Sequence, residues 1–102
     1  MLFRSMKLFD EVKAALRVST EDAGITGEIR DLIGGAKREL RRVGAVSPDL
    51  AADAEVTDEI LKRAIILYAK GHFGFSEDQE KYLEIYEKLK GYIAISYADG
   101  GG

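Results

Sequence analysis

The sequence of 102 residues contains no cysteine, one histidine and one proline. Without cysteine there can be no disulfide framework, thiolate zinc site, iron–sulfur cluster or cysteine nucleophile. Long apolar runs are also missing. The longest, Ala64-Ile65-Ile66-Leu67-Tyr68-Ala69, is far short of the ~20 residues needed to span a bilayer. Met1-Leu2-Phe3-Arg4-Ser5-Met6 carries no extended apolar segment of the secretory type, and Met6 offers a second start. Nor is there a basic surplus: 15 Lys and Arg against 18 Asp and Glu give a net charge of −3. Dedicated nucleic-acid binders normally carry the opposite balance, because they must neutralise phosphates. The remaining composition, 46% hydrophobic and 32% charged, is that of an ordinary globule. A chain of this length buries roughly two-thirds of its unfolded surface, enough for one core.

Helical periodicity organises the chain, with little strand-like alternation. Leu8, Phe9, Val12, Ala15, Leu16 and Val18 predict a short helix over about 7–17, and Ser19 through Gly24 supply cap and turn chemistry. Ile25, Ile29, Leu32, Ile33, Ala36, Leu40 and Val43 draw one continuous stripe, which predicts a helix over 23–43 that Gly44 stops. Residues 44–56 hold the sole proline, Pro48, and read as a surface loop. Thr57 is the expected cap of a third helix over 58–73, with Ile60, Leu61, Ala64, Ile65, Tyr68 and Phe73 on its core side and Gly74 at its end. Ser76-Glu77-Asp78-Gln79 matches a capping box, opening a fourth helix over 77–96 with Tyr82, Leu83, Tyr86, Leu89, Tyr92, Ile93 and Tyr97. The expectation is all-α: a small four-helix domain over residues 1–97, ending in an antiparallel helical hairpin. Residues 98–102 are expected to be a flexible glycine-rich end.

Reactive groups are few. His72 stands among Gly71, Phe73, Gly74 and Phe75, none of which supports proton transfer, so a half-packed His at a helix C-terminus is expected. Asp10/Glu11, Asp58/Glu59 and Glu77/Asp78 sit at helix starts, where acids complement the dipole. No calcium-loop, zinc-protease, nucleophile-elbow or phosphate-loop motif is present. Gly34-Gly35 lies inside the apolar stripe and marks a close helix approach, a kink or a hinge. The chain reads as no enzyme, with no cofactor and no metal site.

Two clusters stand out. Lys37, Arg38, Arg41 and Arg42 stack at i,i+4, as a solvated helix end or as a face for DNA or an acidic partner. Tyr82, Tyr86, Tyr92 and Tyr97 gather on the last helix. They fit either the rim of the core or a subunit interface, since tyrosine buries area while keeping a polar handle.

The order of these features resembles a known family. A short helix ends in Leu16-Arg17-Val18, an acidic capping segment follows, and a second helix runs into Ala36-Lys37. Then come Leu61 through Gly74 (LKRAIILYAKGHFG) and, after a turn, Glu80 through Lys90 (EKYLEIYEKLK). Over about residues 7–97 this is similar to the head–tail connector, or adaptor, proteins of long-tailed bacteriophages and prophages, a group also associated with DNA packaging. The resemblance implies a helical subunit that forms a homo-oligomeric ring under the portal protein. Such a ring extends the DNA channel and gives stopper or tail-completion proteins a platform. Double-stranded DNA would pass without sequence specificity, and no membrane is involved. The implied location is the virion neck, reached from the host cytoplasm during assembly. The alternative reading of the residues is a small helical DNA-binding or regulatory module acting through the Lys37–Arg42 patch.

Overall fold

Each helix begins and ends where local chemistry closes it, and the computed structural model describes residues 7–75 and 77–98. Four α-helices run in order: α1 (Leu8–Ala15), α2 (Ala23–Arg42), α3 (Glu59–His72) and α4 (Gln79–Ala98), with one 3₁₀ turn, Pro48–Leu50, between α2 and α3. No strand occurs among the described residues, so the all-α expectation holds.

The Asp22 carboxylate starts α2 by accepting hydrogen bonds from the amides of Gly24 (2.8 Å) and Ile25 (3.1 Å). At the other end the Ala45 amide donates to the Leu40 carbonyl and Gly44 to Arg41, at 3.1 and 3.0 Å. This is a Schellman closure that requires Gly44 at φ +111°. The end of α1 repeats that hydrogen-bond pattern through Val18 and Arg17, with Arg17 held at φ +60° in the left-handed region that glycine favours. The expected Thr57 cap of α3 is corrected. Asp58 caps it through the amides of Ile60 and Leu61 (2.8 and 3.0 Å), while Thr57 bonds back to Asp49.

The core collects Val12 of α1, Ile29 and Leu40 of α2, Leu61 and Ile65 of α3, and Tyr86 and Ile93 of α4, all fully buried. Burying one such side chain stabilises by roughly 1.5–3 kcal/mol. Helix α3 touches each of the other three. Its contacts with α4 run in opposite chain order along the two helices. Gly71 meets Leu83, Lys70 covers the Tyr82 ring, Tyr68 meets Tyr86 edge-on, and Leu61 lies by Ile93. At Gly71 a Cβ would fall 2.4 Å from Leu83 Cδ2, so the absence of a side chain sets how closely the helices approach. The Ser76 half of the capping box, the first six residues and residues 99–102 lie outside the described residues, while Ala98, expected in the flexible end, is the last residue of α4. Gln79 instead shows its amide donating to the Phe73 and Gly74 carbonyls at 3.1 and 3.0 Å, which ties the start of α4 to the end of α3.

The segment after α2 is not the loose surface loop that its composition suggests. Ala45, Leu50 and Val56 are buried in the core. Asp49 accepts hydrogen bonds from the Thr57 and Asp58 amides at 2.8 and 2.9 Å, and the Glu55 carboxylate accepts from the first amide of α1. A loop with this many partners is a structural element in its own right.

Candidate functional site

The four cations of the predicted basic patch do not form one surface. Lys37 is only 2% exposed, because it falls on the stripe of Ile33 and Leu40, one helical turn from each. Its ammonium donates to the carbonyls of Ala51 (3.0 Å), which also accepts from the Ala54 amide, and of Ala54 (2.6 Å). Burial pushes the Lys37 pKa below its ordinary value, and nearby Glu55 and Asp53 act in the opposite sense. Arg41 reaches the Leu50 carbonyl. Lys37 is therefore corrected from a partner-facing residue to a structural clamp, and the guanidinium of Arg41 joins it. Arg38 and Arg42 are exposed and one turn apart, and among the described residues neither guanidinium donates a hydrogen bond or closes an ion pair, though the Arg42 charge acts on Glu39.

These two arginines line a notch whose floor is Gly35 and Tyr68 and whose wall includes Glu39. Of the three readings for Gly34-Gly35, close approach describes Gly35, where a Cβ would lie 3.0 Å from the Tyr68 hydroxyl. The Glu39 charge is already engaged. It accepts a hydrogen bond from the Tyr86 hydroxyl and faces Lys90 at 3.4 Å. Burial opposes its ionisation, yet Tyr86, Lys90 and Arg42 outweigh burial and hold its pKa below the usual carboxylate range. Tyr86 responds in the opposite direction, raised by burial and by donation to Glu39. His72 is exposed, its ring 4.3 Å from that of Tyr68, and among the described residues it closes no ion pair with a carboxylate. Among the described residues, no group of three or more His, Asp or Glu side chains could hold a metal ion. No described helix is long and apolar enough to cross a membrane.

The tyrosines of α4 separate in the same way. Tyr86 is 1% exposed and belongs to the core, which corrects its expected place at a subunit interface. Tyr82 is half-buried beneath Lys70, 4.7 Å from its ring centre, and Tyr97 packs half-buried on the core. Tyr92 alone faces outward, at 60% exposed. It is joined there by Ile85 (43%) and Ile95 (64%), both overlooked when tyrosines alone are counted. Spacings of seven and three residues place Ile85, Tyr92 and Ile95 on one face of α4, and that spacing is the sequence signal that finds them. Ile60 of α3, expected in the core, is also exposed and shares a groove with Tyr92, Ser96 and Tyr97. The described residues thus offer two surfaces: an arginine notch, and a second apolar face on α4.

Residues 8–100 match the family model of the phage connector proteins. The chain belongs to the phage connector family. Its membership covers all four helices and both surfaces just described. No curated protein and no solved structure gives a significant match to it. The connector is thus a component of the virion that acts where phage head and tail meet, as the resemblance over residues 7–97 implied.

Proposed function

We propose that this connector assembles as a ring beneath the portal protein, extends the DNA channel there and receives stopper or tail-completion proteins. The observation that carries this reading is the second apolar face of α4. Ile85, Tyr92 and Ile95 stay 43%, 60% and 64% exposed within their own subunit, although a single core takes up the opposite face of the same helix. A domain this small exposes such a row where another surface will bury it. The role requires positioned interfaces and no catalytic group. DNA in the channel would be bounded by a net acidic subunit and held without sequence specificity.

The test is electron microscopy of particles made with and without the connector. With it, density below the portal should appear as a closed ring of copies. Without it, heads should fill with DNA yet fail to retain it or to join tails. Unaffected tailed particles in the deletion would overturn the proposal.

A further inference from the structure

The arginine notch has a complement on the same chain. Glu77, Glu80, Glu84 and Glu87, at spacings of three, four and three, form an acidic row along α4 and the turn just before it. They border a shallow groove with Leu83, in which Lys81 is the one cation. Glu87 is 3.1 Å from Lys90, whereas among the described residues Glu77, Glu80 and Glu84 close no ion pair. Each copy therefore carries two unpaired guanidinium groups in a notch and three unpaired carboxylates in a row.

We infer that the Arg38–Arg42 notch of one connector receives the Glu80–Glu84 edge of α4 from the next copy. This deepens the ring proposal by naming which faces meet. Two arginines one turn apart present planar forks to two glutamates one turn apart, the geometry in which guanidinium–carboxylate pairs are strongest. Tyr68, which lines the notch, adds a hydroxyl and an aromatic edge beneath the incoming carboxylates. Leu83, which borders the acidic groove, brings apolar area to the same contact. The two patches differ from each other, so the contact is heterologous. It runs head to tail and closes into a ring if the rotation between copies completes a full turn. A DNA duplex is the less favoured occupant, because Lys37 and Arg41 are committed to the loop and only two cations remain to meet a phosphate backbone.

The test uses Arg38→Glu/Arg42→Glu and Glu80→Arg/Glu84→Arg, all exposed positions, with thermal unfolding to verify the fold. Sedimentation of the purified chain at up to millimolar concentration and low salt should show self-association for wild type and at least tenfold weaker association for each variant alone. An equimolar mixture of the two variants should recover it, because each then supplies the charge the other lost. Wild-type association that both variants retain within twofold would overturn the pairing. A mixture and a wild type that both remain monomeric would also overturn it. So would loss of binding to a labelled duplex DNA in Arg38→Glu/Arg42→Glu without loss of self-association. Particles separate this inference from the ring itself. Rings that incorporate Arg38→Glu/Arg42→Glu normally overturn the pairing alone, and particles with no ring overturn both.

Discussion

Helices α2 and α4 are each twenty residues long and use their side chains in opposite ways. In α2 one apolar stripe faces the core, and even charged residues turn inward: Lys37 and Arg41 to the loop, Glu39 to Tyr86. In α4 apolar residues lie on two faces, Tyr86 and Ile93 inside, Ile85, Tyr92 and Ile95 outside. The contrast lies in what each helix leaves over. On α2 Lys37, Arg41 and Glu39 are engaged within the fold and the charge of Arg38 and Arg42 remains, whereas α4 also leaves apolar area.

The largest effect that sharpens this contrast is expected at Tyr86. Tyr86→Ala should lower stability by about 3–5 kcal/mol, since it leaves a large cavity and frees Glu39; chemical denaturation reads this directly. Lys37→Ala should follow at about 1–3 kcal/mol, because the Ala54 carbonyl loses its Lys37 donor and the Ala51 carbonyl keeps only the Ala54 amide. Its signature should be local, with faster hydrogen exchange over residues 45–58. Gly71→Ala should cost about 1–2 kcal/mol by forcing Leu83 aside, and α4 should loosen before α2 does.

The pH dependence is smaller. Asp49 is held below its ordinary value by hydrogen bonds from the Asp58 and Thr57 amides, and Glu39 by Tyr86 and Lys90 against its burial. A depressed folded pKa gives stability that is complete above the unfolded value and lost as pH falls through the folded one. Denaturation midpoints should therefore decline below about pH 4, and Asp49→Asn should flatten part of that decline.

Much of this molecule is visible in its sequence, and the exceptions have physical causes. The stripe from Ile25 to Val43 predicts α2 to within one residue, because a single buried face leaves an unmistakable period. Thr57 and Asp58 are adjacent cap formers, and only the tertiary contact with Asp49 assigns the cap to Asp58. Residues 44–56 look like a surface loop because Ala and Asp dominate, yet Leu50 and Val56 anchor it and Lys37 clamps it. Lys37 resembles a dipole partner at a helix end, although its place on the Ile33–Leu40 stripe already points inward. Ile85 and Ile95 escape notice because a two-faced helix has no single period to read. Two unpaired rows of opposite charge become recognisable as surfaces only when the internal ion pairs are known.

The central claim is that the outer face of α4 serves assembly and not folding. The decisive measurement is a comparison of Ile85→Ser/Tyr92→Ser/Ile95→Ser with wild type, in unfolding free energy and in ring incorporation on particles. The account predicts an isolated-chain stability within about 0.5 kcal/mol per site of wild type and a loss of incorporation. A variant that unfolds readily, or one that enters particles as wild type does, would contradict it.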